Sequence, residues 1–135
     1  MVDCGIGLGT SLYDFYLQSK DFSDKTFTFT GIEKYQLYTD MLSENLLDKW
    51  NEELDLIIGD INDYNYSKFN IVYTFTPFKS VSKLKEFYSK IKDEVSIGSI
   101  LIENKNSGLG EGHVILEVEG LKRIEVDDIS VFVKI

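Results

Sequence analysis

Hydrophobic and polar positions follow two periodicities in turn, which predicts strands alternating with helices. Apolar, aromatic and β-branched runs predict five strands, at residues 1–3, 27–33, 54–60, 69–76 and 99–103. Apolar residues spaced by three and four predict three helices between them, with the faces Leu12, Phe15 and Tyr16; Tyr38, Met41, Leu42, Leu46 and Trp50; and Val81, Leu84, Phe87, Tyr88, Ile91 and Val95. This alternation favours an α/β protein whose parallel sheet carries helices on both faces.

The last thirty residues contain no helical pattern. A loop with Gly108, Gly110 and Gly112 precedes a strand at His113–Glu119 or Leu121–Val126, and a final strand follows at 129–135. A nicotinamide-binding domain would normally continue with a further helix and a parallel strand. The ending therefore predicts a terminal hairpin-like pair of strands.

Composition narrows the class of protein and of partner. The 135 residues are 43% hydrophobic and 27% charged, which fits a single globular domain over residues 1–135. The net charge of −9 disfavours nucleic acid, and the lysine-dense stretch 79–92 is interpreted as a solvated helix face. The single cysteine, Cys4, forms no intramolecular disulfide and is expected to be a small buried residue. With no long apolar run and no signal peptide, we expect a cytoplasmic protein that does not bind membranes.

The glycine-rich segment 3–11 is expected to join the first strand to the first helix, with Thr10 or Ser11 as helix cap. Its spacing departs from the dinucleotide fingerprint, because Thr10 stands where the third glycine belongs. The phosphate loop is also absent, and no Lys or Arg precedes Lys20. Although helix-start amides alone can hold a phosphate, Asp3 at the strand end suits a ligand that carries a cation.

The segment Asp3-Cys4-Gly5-Ile6-Gly7-Leu8-Gly9 resembles the first motif, Asp/Glu-x-Gly-x-Gly-x-Gly, of the class I S-adenosylmethionine-dependent methyltransferases. The resemblance implies a Rossmann-like three-layer α/β/α sandwich with a mostly parallel sheet of order 3-2-1-4-5-7-6 and strand 7 antiparallel. It also implies that Asp3, Gly5, Gly7 and Gly9 bind S-adenosyl-L-methionine at the carboxyl ends of the strands.

Two further strand ends carry acids at positions that match this family. Gly31-Ile32-Glu33-Lys34 is similar to the second motif, which implies that Glu33 accepts hydrogen bonds from both ribose hydroxyls and that Lys34 lies at the cofactor. Asp60 corresponds to the acceptor for the adenine amino group, with Ile61 packed on the ring. The alternative for each acid is a helix-cap or loop carboxylate with no ligand.

The end of the fourth strand bears on the methyl acceptor. The family's nucleic acid amino-methylating enzymes carry Asp/Asn/Ser-Pro-Pro-Tyr/Phe there, whereas this chain has Phe75-Thr76-Pro77-Phe78, without the polar acceptor. We therefore predict a protein or small-molecule acceptor rather than nucleic acid, with Phe75, Pro77 and Phe78 binding it, although Tyr73 and Phe75 could equally be core strand residues. Methyl transfer needs alignment and desolvation more than an acid or base, so no catalytic residue is predicted.

Other chemistry has little support in the sequence. His113 is the only histidine and is expected at the surface, so we predict neither a catalytic triad nor a metal site. Only Met1 and Val2 precede Asp3, whereas the resemblance implies a helical segment there that covers the cofactor. We expect a second copy or another chain to supply that lid; the alternative is a truncated, non-catalytic module for interaction or ligand sensing. A nicotinamide-dependent oxidoreductase remains a third hypothesis.

Overall fold

The computed structural model describes residues 1–45, 54–75, 77–104, 118–126 and 129–135. In chain order the elements are β1 Val2–Cys4, α1 Thr10–Ser19, β2 Phe29–Glu33, α2 Gln36–Asn45, β3 Leu54–Ile58, β4 Ile71–Thr74, α3 Val81–Glu94, β5 Ile100–Asn104, β6 Leu121–Val126 and β7 Ile129–Lys134. The predicted alternation of strands and helices is confirmed; β2, β3 and β4 are two to four residues shorter than predicted, and β1 and β5 have the predicted length but begin one residue later.

The strands are hydrogen-bonded in the order β3-β2-β1-β4-β5-β7-β6, as predicted. β7 runs antiparallel to both β5 and β6, so the closing strand has the expected direction. Of the two alternatives for the sixth strand, the structure has Leu121–Val126. The glycine loop of residues 108–112 lies outside the described residues.

The chain comprises two compact units, which we call the N-terminal unit (Met1–Tyr64) and the C-terminal unit (Asn65–Ile135). In the N-terminal unit β2 pairs in parallel with β1 and with β3. Its apolar core contains Ile6, Leu12, Tyr16, Phe29 and Leu42, all buried. Leu12 and Tyr16 belong to the predicted apolar face of α1. This face of the helix therefore packs into the core of the N-terminal unit.

The start of α1 differs from the prediction that Thr10 or Ser11 caps it. The N-cap is Gly9, whose backbone is left-handed (φ 76°), and no side-chain hydrogen bond from it caps the helix. The preceding glycines bring the chain into the helix in a conformation that favours glycine, so the N-cap position falls one residue before Thr10. The first-turn amides of α1 are therefore not capped by a hydroxyl at the N-cap.

The buried face of α2 also differs in part from the prediction. Leu42 is buried as expected, but Tyr38 and Met41 are exposed, and Thr39 is buried instead. Residues 39 and 42 are three apart on the helix, so they form one stripe that leaves positions 38 and 41 at its margins. The predicted core residues Leu46 and Trp50 lie outside the described residues.

In the C-terminal unit, β4 and β5 are parallel and β7 and β6 continue the ladder in antiparallel register. The helix α3 buries Leu84, Phe87, Tyr88 and Ile91, which confirms most of its predicted apolar face. Val81, at the first position of α3, is exposed because the stripe begins one turn later. No helix in the described part of the chain is long and apolar enough to cross a membrane.

Candidate functional site

The candidate site is built at the carboxyl ends of β1 and β2, where the glycine turn is fixed to β2. Gly5, Gly7 and Gly9 all have left-handed backbones, with φ of 82°, 54° and 76°. The amides of Gly5 and Ile6 both donate to the Ile32 carbonyl oxygen, at 2.9 and 3.0 Å, and the Gly9 amide donates to the Ile6 carbonyl oxygen at 2.9 Å. The turn requires glycine because side chains would strain these conformations.

Glu33, the last residue of β2, holds the turn with its side chain. Its Oε2 accepts a hydrogen bond from the Gly7 amide at 3.0 Å, and its Oε1 accepts one from the Tyr35 amide at 2.9 Å. The residue is only 5% exposed. Backbone donors from two segments therefore fix the carboxylate in position at the mouth of the glycine turn.

Ile6 and Gly31 make a contact that sequence reasoning missed. A Cβ atom built on Gly31 would collide with the Ile6 side chain. Ile6 therefore occupies the space that a side chain at position 31 of β2 would need. Gly31 does not have a positive φ, and close approach is therefore the reason for glycine here. A lone glycine inside an otherwise aromatic and β-branched strand was the available signal.

Asp3 is a second buried acid on the same side of the sheet as Glu33. In the parallel register Asp3 lies opposite Gly31, and Glu33 follows two residues along β2, so both acids are on the face that carries Ile6. Burial, together with the nearby Glu33 carboxylate, raises the pKa of Asp3 from 3.8 to about 7. The ionised form of Asp3 therefore destabilises the folded state, because burial and the Glu33 charge disfavour a negative charge at this position.

Asp60 lies just beyond the end of β3, and the structure connects it with Lys34. Lys34 Nζ donates to Asp60 Oδ2 at 2.9 Å, while the Asn62 amide and side chain donate to Oδ1 at 2.9 Å each. The hydrogen bond from the Asn62 amide, followed by that from Lys34, lowers the pKa of Asp60. Ile61 is buried beside it. The predicted residues Glu33, Lys34, Asp60 and Ile61 thus lie where β2 and β3 end.

The ends of β2 and β3 are also joined through the backbone. The Gly59 amide donates to the Glu33 carbonyl oxygen at 2.9 Å. Glu33 therefore bonds the glycine turn with its side chain and the β3 end with its main chain. The carboxyl end of β2 therefore holds both the glycine turn and the end of β3 in place.

The three predicted acceptor-binding residues belong to the C-terminal unit. Phe75 is exposed, whereas Pro77 and Phe78 are half-buried, and the Phe78 ring packs edge-on against Phe87 with centroids 5.6 Å apart. Tyr73 is buried within β4, so the core interpretation holds for it. His113 lies outside the described residues, and no group of three potential metal ligands occurs among the described ones.

Comparison with solved structures places this geometry in a known fold. NodS, an N-methyltransferase from Bradyrhizobium japonicum WM9 solved with S-adenosyl-l-homocysteine, matches with a TM-score of 0.69 at 9% identity, over 98% of this chain and 76% of NodS. A protein from Thermoplasma acidophilum assigned to the methyltransferases matches with a TM-score of 0.70 at 16% identity, over 98% of this chain and 66% of that one. SpnF, a cyclase, matches with a TM-score of 0.65 at 16% identity, over 92% of this chain and 51% of its own.

The chain therefore has the fold of the class I S-adenosylmethionine-dependent methyltransferases, and the resemblance seen in its first two motifs is confirmed at the level of the fold. Protein-family models and curated protein sequences give no match. Because the identities are low and the cyclase shares the fold, the likeness establishes the architecture and not the reaction. The chain spans between 51% and 76% of the lengths of these three proteins.

Proposed function

We propose that this chain binds S-adenosyl-L-methionine at the glycine turn, Glu33 and Asp60, and transfers its methyl group to a protein or small-molecule acceptor rather than to nucleic acid. The observation that carries the proposal is the hydrogen bond from the Gly7 amide to Glu33 Oε2, because it joins the two matched motifs into one site. When bound, the cofactor supplies an electrophilic methyl group on a sulfonium.

The charges at the turn fit this cofactor. S-Adenosylmethionine carries a sulfonium and an ammonium group and no phosphate, whereas the turn is flanked by the buried acids Asp3 and Glu33. A cation bound beside Asp3 would favour its ionised form and offset the cost that burial imposes. Backbone amides in the first turn of α1, beyond Gly9, suit the cofactor's carboxylate.

Glu33 retains the capacity to accept from ribose hydroxyls. A carboxylate offers about four acceptor positions, and the amides of Gly7 and Tyr35 use two of them. These two bonds fix the orientation of the remaining lone pairs, which reduces the entropy lost on binding. An acid already held in place by the backbone is a better ribose ligand than a flexible one.

Asp60, Lys34 and Ile61 would hold the adenine. The ion pair of Lys34 with Asp60 is solvent-exposed on the lysine side, so opening or sharing it costs little. Asp60 Oδ1, held by Asn62, keeps its orientation if Lys34 moves.

In the C-terminal unit, Phe75, Pro77 and Phe78 remain the proposed acceptor-binding residues, supported by the exposure of the Phe75 ring. No residue is assigned an acid or base role, because displacement at a sulfonium requires alignment and exclusion of water.

The proposal also includes how the site is closed and where the protein acts. Leu8 in the turn, and Tyr35 and Leu37 beyond β2, are exposed, which supports closure of the site by a second copy or a partner chain. Cys4 is buried and, as the single cysteine, forms no intramolecular disulfide, which supports a cytoplasmic location.

Thermal unfolding measured with S-adenosylmethionine, S-adenosylhomocysteine and NADH tests the cofactor. Ligand at a hundred times its dissociation constant should stabilise the fold by about 2.7 kcal/mol, which corresponds to roughly ten degrees for a domain of this size. The two adenosyl ligands should shift the midpoint, and Glu33→Ala and the gentler Glu33→Gln should remove the shift. Asp55→Ala, at an exposed acid on β3, is the matched control and should retain it.

The outcomes separate the three hypotheses. A shift with NADH alone would replace the proposal with a nicotinamide-dependent oxidoreductase. No shift with any ligand would favour a non-catalytic domain that serves in interaction. Where the adenosyl ligands bind, transfer of a labelled methyl group to amine and hydroxyl acceptors separates an enzyme from a ligand-sensing module.

A further inference from the structure

A cleft of about 300 Å³ lies in the N-terminal unit, between the end of α1 and the beginning of β2. Its lining includes Lys20, Phe22, Lys25, Thr26, Phe27 and Phe29. Phe29 begins β2, whereas Glu33 ends it, so the two sites are separated along this strand by about 13 Å. The cleft is therefore a feature apart from the candidate cofactor site.

Three phenylalanines that differ in exposure line one side of the cleft. Phe29 is buried, Phe27 is half-buried and Phe22 is 56% exposed. The Phe27 and Phe29 rings are stacked with centroids 6.4 Å apart, and Phe22 meets Phe27 edge-on at the same distance. A large exposed ring at the mouth, continuous with buried rings behind it, offers apolar surface for a planar ligand.

The cleft also collects positive charge. In a chain of net charge −9, the only cationic side chains before residue 34 are Lys20 and Lys25, and both line this cleft. Lys25 Nζ lies 3.4 Å from the Asp24 carboxylate, but both side chains are more than half exposed, so a ligand anion can replace this contact at little cost. Lys20 Nζ lies 4.2 Å from the centre of the Tyr16 ring.

Backbone carbonyl oxygens at the end of α1, beside the cleft, are already used. The carbonyl oxygens of Leu17, Gln18 and Ser19, at the end of α1, accept from the amides of Lys20, Asp21 and Phe22 respectively. The polar side chains of the lining are two lysines and three hydroxyl residues, Ser19, Ser23 and Thr26, and the Ser19 hydroxyl already donates to the Tyr16 carbonyl oxygen. Donors beside aromatic rings select a molecule that carries both a ring and an anionic group.

We propose that this cleft binds a small aromatic carboxylate, with its ring against Phe22 and Phe27 and its carboxylate at Lys20 and Lys25. The volume is at the lower end of the range for small-molecule sites and suits a single ring with a short acidic arm. The proposal is independent of methyl transfer, since it uses none of the residues assigned to the cofactor.

The test is a titration of the ¹⁵N-labelled protein with phenylacetate, followed by amide chemical shifts, with neutral phenylacetamide as the matched probe. We expect saturable shifts in residues 19–29 with phenylacetate and more than tenfold weaker binding of phenylacetamide, because the neutral amide loses the charge assistance of both lysines. Lys25→Gln, a surface substitution that removes one of the two cations, should weaken phenylacetate about tenfold, and Phe27→Leu should also weaken it. Lys122→Gln, an exposed lysine on β6, should not.

Three results would overturn the proposal. The first is the absence of saturable shifts in residues 19–29. The second is equal affinity for phenylacetate and phenylacetamide, which would show that the lysines do not recognise the anion. The third is unchanged phenylacetate affinity in Lys25→Gln. Because Lys25→Gln leaves the aromatic packing intact, the test does not depend on whether Phe27→Leu folds.

Discussion

Each compact unit buries a glutamate near the carboxyl end of a strand, and the two differ in what holds them. Glu33 in the N-terminal unit is 5% exposed, and Glu103 in the C-terminal unit is 6% exposed. Backbone amides of Gly7 and Tyr35 donate to Glu33, whereas the Tyr88 hydroxyl donates to Glu103 Oε1 at 2.6 Å. Burial alone therefore does not distinguish an acid that organises a site from one that organises a core.

The two glutamates differ in the groups that donate hydrogen bonds to them. Tyr88 belongs to the buried face of α3, and Glu103 lies opposite Thr74 and Ser130 in the β-ladder, so its surroundings are packed interior. Glu33 instead orders a glycine turn that has little structure of its own. Three substitutions can break or sharpen this comparison.

The largest effect is expected from Asp3→Asn, which removes the buried acid beside Glu33. The native fold holds the Asp3 proton up to about pH 7, whereas the unfolded chain releases it near 3.8. Stability from this group is therefore intact below pH 4 and falls as the pH rises to 7, by about 4 kcal/mol in total. Urea unfolding should show Asp3→Asn gaining on the wild type by that amount between pH 4 and pH 8.

A constant difference between Asp3→Asn and wild type across this range would contradict the burial argument.

The next effect is expected from Gly31→Ala. The new methyl group would occupy the space of the Ile6 side chain and push the glycine turn away from Glu33, so we expect a loss of about 3 kcal/mol in unfolding free energy. Gly59→Ala is the matched control, because a Cβ there has no atom within 4 Å among the described residues. Equal stability of the two variants, measured by urea unfolding, would show that Ile6 relaxes without cost.

The smallest effect is expected from Tyr88→Phe, which removes the hydroxyl that donates to Glu103. We expect a loss of about 1–2 kcal/mol in unfolding free energy, since a buried carboxylate loses a donor. Affinity for S-adenosylmethionine, measured by calorimetry, should stay within twofold of wild type. A loss of affinity as large as that of Glu33→Ala would break the comparison, because Glu103 would then also support the cofactor site.

The strands and helices could be predicted well because hydrophobic periodicity is a repeated signal along the chain. The strand order and the direction of β7 came from the family resemblance, and the acids Glu33 and Asp60 were identified because they end apolar runs. The cofactor assignments to these residues stay predictions until binding is measured.

The attachments of the glycine turn could not be predicted in the same way. A bond between a backbone amide and a carboxylate 26 residues away leaves no periodic trace in the sequence. The Gly9 cap was missed because hydroxyl residues follow it and suit the cap position on propensity alone. On α2, residues 38 and 41 fit the helical spacing as well as 39 and 42 do, and only the packed structure chooses between them.

The dependence of the turn on the end of β2 also bears on how this region assembles. Gly5, Ile6 and Gly7 receive their partners from Ile32 and Glu33, so the turn has no native shape until the chain has closed a loop of some 26 residues. Closing such a loop costs about 3 kcal/mol of chain entropy. The glycine turn therefore acquires its native hydrogen bonds only together with β1–β2 pairing, and a ligand held there would add its binding energy to that whole cooperative segment rather than to a local loop.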